Sequence, residues 1–291
     1  MKVELKKGIY ALPSLFTCGN MTFGFLSMLM SVKGNFTPAA WFIVCGIACD
    51  MLDGRVARLT RTTSEFGVQL DSLADLISFG LAPAMMMYEL VLKNHPLTRG
   101  KIGVAIAALF LLCSALRLAK FNVQAANGVV HKTFMGLPTP ASAGVIISFV
   151  LSYQLWVKLN DSPSLLMSNG KMIDLSRLTS HSIPILINAM PKFFLAMPIV
   201  MVALSFLMVS NVPYQSFKKL KLSKPIAMRF LFLLIVLALL IVVFPQNVFF
   251  VIFTAYALSG LVMYVPNRIK HTKRKDDEES GGDNEEDCSS A

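Results

Sequence analysis

Aspartates are the residues of this chain best able to do chemistry, and they are gathered in one place. The sequence has 17 Asp and Glu; eight lie between Asp276 and Asp287. Five of the other nine fall within residues 50–75: Asp50, Asp53, Glu65, Asp71 and Asp75. Asp50 and Asp53 are three apart, Asp71 and Asp75 four apart, so each pair shares one face of a helix. The first pair closes an apolar run, Trp41 to Cys49. The second opens another, through Leu76, Ile77, Phe79, Leu81 and Ala82. A helix that runs on, turns within the 17 intervening residues and returns would set the two pairs face to face.

Four carboxylates at close quarters repel one another and stay ionised only with cations between them. All-oxygen ligation suits hard divalent ions, Mg2+ or Mn2+. Two such ions ~3.5–4 Å apart are a device for displacement at phosphorus. Acids at this spacing usually decorate a solvated helix face. Here the flanks are apolar, and ionisable groups beside lipid are costly and tend to be functional. Gly54, directly after Asp53, would let a flat ligand approach the backbone. Arg58 is the member of the Arg55, Arg58, Arg61 cluster best placed to hold a phosphate. The other two read equally well as positive anchors at a span end.

These groups need positioning elements, and composition says which. Of 291 residues, 55% are apolar and 15% charged, and the mean hydropathy is +0.61. A soluble domain carries about 25% charged residues, so a soluble, disordered or disulfide-stapled chain is excluded. The expected fold is all-α: a polytopic membrane helix bundle of about eight transmembrane helices. Spans of ~20 apolar residues fall at 14–32, 36–54, 70–92, 102–121, 137–157, 193–210, 228–244 and 247–265. With both termini cytoplasmic, 19 Lys and Arg lie inside and 8 outside, which supports that orientation. Residues 1–12 read as an interfacial segment, with Lys2, Lys6 and Lys7 toward headgroups. Residues 13–266 form the membrane domain. Residues 267–291, basic and then acidic, read as a disordered charged cytoplasmic tail. Residues 158–192 read as a long outside loop. No cleavable leader is expected. The net charge of +10 sits between apolar runs, which favours anionic lipid over nucleic acid.

The run Asp50-Met51-Leu52-Asp53-Gly54-Arg55-Val56-Ala57-Arg58, eight residues, Gly67, three residues, Asp71, three residues, Asp75 resembles the signature of the CDP-alcohol phosphatidyltransferases. Eight fixed positions over 26 residues agree. Leu12 to Asn20, Ala115 to Asn122 and Gly136 to Ala141 look like the branch that uses serine, the CDP-diacylglycerol–serine O-phosphatidyltransferases. Ser14 departs from the asparagine many relatives carry after the proline; Asn20 agrees.

The resemblance implies an integral-membrane transferase that makes phosphatidylserine and CMP from CDP-diacylglycerol and L-serine. It implies two ions, one held by Asp50, Asp53 and Asp71, the other by Asp50, Asp71 and Asp75. Asp75 would also be the general base, and Gly54, Arg58 and Ser64 would contact the CDP part of the donor. Ser64 reads equally as a helix cap. Arg117 and Lys120, with Asn122 and Asn20, are candidates for phosphate or the serine zwitterion, since an arginine fork suits a carboxylate. A homodimer and a multi-pass place in the plasma (inner) membrane, with the site on the cytoplasmic side, complete the expectation. A sister enzyme using glycerol 3-phosphate, inositol or choline is the nearest alternative, and a divalent-cation transporter the alternative of another class.

Overall fold

An 18-residue apolar stretch has few fates besides a spanning helix, and this chain has several. The computed structural model describes residues 2–60, 64–126, 134–161, 166–168, 171–173, 184–210, 212–214, 250–257 and 259–260. Six helices there are long and apolar enough to cross a membrane: Ser14–Val32, Phe36–Ala57, Glu65–Leu92, Lys101–Ala126, Thr139–Val157 and Lys192–Val209. They agree with the first six expected spans to within a few residues at most ends. The expected span 228–244 and the tail 267–291 lie outside the described residues. Of 247–265 only 250–257 and 259–260 are described, and they are helical.

Helix α1 (Lys2–Val32) carries the N-terminal segment and the first span without a break. It stops at Gly34, whose φ of 76° is the left-handed conformation that ends helices. The N–H of Asn35 reaches back to Met30 O at 2.9 Å. Helix α2 (Phe36–Thr60) then returns along α1. The third span is α3 (Glu65–Asp75), a π-helical segment Leu76–Leu81, α4 (Ala82–Met87) and a second π segment, Tyr88–Leu92. Pro83 accounts for the first widened turn, because it cannot donate to the carbonyl four residues back and its ring crowds that carbonyl.

Helix α5 (Lys101–Ala126) packs on the π segment and on α7 (Pro184–Val209). Helix α6 (Thr139–Asp161), packed chiefly on α2 and also on α7, is buried continuously from residue 141 to 152. Two of its serines bond back within the helix: Ser142 Oγ donates to Thr139 O and Ser148 Oγ to Val145 O, both at 2.9 Å, while the buried Ser152 Oγ has no partner among the described residues. The presumed outside loop is shorter than expected. Helix α6 runs on to Asp161, β2 (Leu166–Ser168) and β3 (Lys171–Ile173) pair as a hairpin, and α7 begins at Pro184. Proline suits a first helical turn, where its missing N–H has no partner to lose.

Apolar burial between helices drives little in lipid, so close packing of small residues must do more. Gly24 of α1 lies against Ser78, Gly46 of α2 against Asn20, and Gly80 against Ser114 of α5. Large apolar side chains such as Phe25, Trp41, Leu112, Leu116 and Phe206 point outward, as lipid-facing residues do. One short strand pair sits at a helix end: β1 (Phe134–Met135) with β4 (Pro213–Tyr214). Tyr214 is buried there and its hydroxyl donates to Ala257 O at 3.0 Å. Burial pushes this phenol up to about 12, with Tyr256 adding to it, so the hydroxyl keeps the proton it donates.

Candidate active site

Asp50 and Asp53 stand near the C-terminal end of α2, and Asp71 and Asp75 on α3. Ser64 is the N-cap of α3: its backbone is extended and its Oγ accepts the Gly67 N–H at 3.0 Å. A Cβ on Gly67 would come within 3.1 Å of that oxygen, so glycine keeps the cap unobstructed. Glu65 places a negative charge in the first turn, where the helix dipole favours it.

Both α2 and α3 pack on α1, and this brings acids of the two helices together. Carboxylate oxygens of Asp50, Asp53 and Asp71 all lie within 4.8 Å of one another. Asp75 falls outside this group of three but within electrostatic reach of each member. Asp71 Oδ1 is buried and has no hydrogen-bond partner. A buried carboxylate oxygen without a donor is costly, and a cation would supply what is missing. Carboxylates alone, clustered with like charge, fit a hard divalent ion. The acids cluster where two helices meet, whereas a transport path would thread them through several.

Helix α1 closes one side of the cluster. Thr17 Oγ1 donates to Asp53 Oδ2 at 3.1 Å, and both residues are buried. Asn20 is fully buried, and its amide donates to Asp75 Oδ1 over a long 3.4 Å. Its backbone carbonyl accepts the Ser78 hydroxyl at 2.8 Å. Gly54 has nothing within 4 Å of where a Cβ would stand, so the backbone beside Asp53 is open to a ligand. Arg58 is on α2, and its side chain lies outside the described set.

Arg117 comes from α5. Its Nη1 donates to Thr139 Oγ1 at 2.8 Å, and its Nε is buried with no partner. The guanidinium is within electrostatic reach of Asp75 and Tyr256. Lys120, one turn on, is half-buried. Asn122 Nδ2 donates to Ser72 Oγ at 2.8 Å and so ties α5 to α3 beside Asp71. Thr17, Thr139 and Tyr256 also stand at the site, although residue type alone does not single them out. For Thr17 a signal existed: Thr17, Asn20, Gly24, Ser27 and Ser31 recur at three and four residues, small or polar and buried. Thr139 and Tyr256 carry no such local signal.

Comparison with known proteins agrees with this architecture. The sequence model of the CDP-alcohol phosphatidyltransferase family matches residues 10–173. A CDP-diacylglycerol–serine O-phosphatidyltransferase of Helicobacter pylori is 34% identical over 257 residues, covering 88% of this chain and 92% of that protein. One from Bacillus subtilis is 34% identical over 142 residues, 49% of this chain and 76% of its own length. An archaetidylserine synthase of Methanothermobacter thermautotrophicus is 39% identical over 144 residues, 49% of this chain and 58% of its own.

Proposed function

The chain belongs to the CDP-alcohol phosphatidyltransferase family, and from that premise we propose that it transfers a phosphatidyl group from CDP-diacylglycerol to L-serine, giving phosphatidylserine and CMP. The observation that carries this reading is the three-carboxylate cluster with its unpartnered Asp71 oxygen, beside the open backbone at Gly54. Asp50, Asp53 and Asp71 would hold a divalent cation, Mg2+ or Mn2+, and Asp50, Asp71 and Asp75 a second. Bound cations would polarise the diphosphate and offset charge on the departing CMP.

The chain's own residues would do the rest. Gly54, Arg58 and Ser64 would seat the CDP part. Arg117, held by Thr139, would take the serine carboxylate through its unpaired Nε, with Lys120 beside it. Asn122 supports this face through Ser72. Asp75 would accept the hydroxyl proton as the serine oxygen bonds to the β-phosphorus of CDP-diacylglycerol. The bond from that phosphorus to the bridging oxygen breaks, and CMP leaves with the bridging oxygen. A long contact from the Asn20 amide leaves Asp75 lone pairs free for the proton.

We read the site as facing the cytoplasm, a reading supported by the bias of Lys and Arg toward one set of inter-span segments, and the protein as a homodimer of the plasma membrane. The test is CMP release from CDP-diacylglycerol by purified protein, with and without L-serine and with and without Mg2+ or Mn2+. Serine- and metal-dependent release is expected. Release driven better by glycerol 3-phosphate, inositol or choline would overturn the choice of acceptor. A stoichiometric burst of CMP without serine would replace direct transfer by a covalent enzyme intermediate.

A further inference from the structure

We propose that Thr17 is a positioning residue for the metal site, so that α1 is part of the site and not only its neighbour. The proposal rests on the reading of the aspartates as cation ligands. Asp53 stands at the end of α2 with the repelling carboxylates of Asp50 and Asp71 beside it. Left to itself its carboxylate would rotate away from them. Thr17 Oγ1 donates to Asp53 Oδ2 at 3.1 Å across a separation of 36 residues, and Thr17 is only 5% exposed. That bond fixes the carboxylate plane. The Gly54 backbone N–H also donates to this carboxylate, and lone pairs still remain on it for a cation.

The donor itself is firmly held. Thr17, Asn20 and Gly24 share one face of α1 by their spacing. Gly24 seats that face on Ser78, and the Ser78 hydroxyl donates to Asn20 O at 2.8 Å. Gly46 of α2 meets the same face at Asn20. Groups that hydrogen-bond a ligating side chain orient it, and losing one costs ~10–100-fold in metal affinity or activity.

The experiment measures Mn2+ binding to purified full-length protein by electron paramagnetic resonance, in wild type, Thr17→Val and Thr17→Ser. Valine keeps the shape and the branch at Cβ and removes the hydroxyl; serine keeps the hydroxyl. Thr17→Ala removes it with less bulk, should the valine variant fail to fold. The valine variant should bind Mn2+ ~10–100-fold more weakly, and the serine variant within about threefold of wild type. CMP release should show the loss mainly in the metal concentration needed, with kcat largely recovered at saturating Mn2+. Equal Mn2+ binding by wild type and the hydroxyl-less variants would overturn the positioning role. So would serine losing as much as valine. Wild-type protein that binds no Mn2+ would instead overturn the metal reading of the aspartates, and the proposal with it.

Discussion

Replacing Gly24 by alanine should disable the site from a distance. The added Cβ would lie 2.5 Å from Ser78 Oγ, 2.9 Å from Ser78 Cα and 3.2 Å from Ile77 Cγ2. Carbon atoms pack best at about 3.5–4.0 Å, so the contact with the Ser78 backbone is short by roughly 0.6–1.1 Å. A serine hydroxyl can rotate away; a backbone atom in a buried π-helical turn cannot. Helix α1 must therefore back off the third span by that distance. Thr17 and Asn20 lie on the same face as Gly24, and their bonds of 3.1 and 3.4 Å to Asp53 and Asp75 have no slack. Overpacking of this kind costs about 1–3 kcal/mol in stability, and a misplacement of ~1 Å in a catalytic group costs on the order of 100-fold in rate.

A matched control lies on the same helix. A Cβ on Gly19 would meet Cys49 Sγ at 3.7 Å, an ordinary contact. Gly19→Ala should be neutral, or stabilising by up to about 1 kcal/mol through helix propensity. The assay is thermal unfolding in detergent alongside serine-dependent CMP release. Gly24→Ala matching Gly19→Ala in both would refute the reasoning, because it would mean that α1 can move without disturbing the carboxylates.

Asp71→Asn removes the charge beside the unpartnered oxygen; it should abolish Mn2+ binding and reduce turnover by at least about 100-fold, while the protein still inserts and runs as a monodisperse peak on size exclusion. Arg117→Lys replaces a fork by a point charge and should raise the KM for serine by ~10-fold or more at little cost in donor binding; an unchanged KM would remove Arg117 from the acceptor site. Gly136 has a φ of 83°, and a Cβ there would collide with Met208 O, so Gly136→Ala should lower the unfolding temperature by the equivalent of at least about 1–2 kcal/mol.

The spans and the acid pairs were legible because each depends on local spacing. An apolar run of 18 residues has one common fate, and aspartates three or four apart share a helix face whatever the tertiary fold. Contacts between distant segments are another matter. Nothing near Thr17 announces a carboxylate 36 residues on, nor does anything near Arg117 announce Thr139. The π-helical turn after Asp75 follows from Pro83, two residues beyond its end, yet helix periodicity alone does not reveal it. The cap at Ser64 could be read from the sequence, though not in preference to a ligand contact; the geometry supplies the cap.

Two of the unsatisfied buried groups near the aspartates have opposite demands. Asp71 Oδ1 lacks a donor or cation, and Arg117 Nε lacks an acceptor. Asp75 lies within electrostatic reach of both residues. An acceptor alcohol without a carboxylate would leave the arginine donor buried and unpaired. Sites built to pair a polar group reject analogues lacking it far more strongly than apolar pockets reject a missing methylene. The layout therefore favours an acceptor whose anionic group sits on Arg117 while its hydroxyl meets Asp75. Serine has that geometry: its carboxylate and hydroxyl are borne on adjacent carbons. Inositol and choline offer no anion. Glycerol 3-phosphate offers one, but larger and doubly charged, close to carboxylates that would repel it. On this argument selectivity would lie with the arginine that Thr139 holds, and the chemistry with the aspartates.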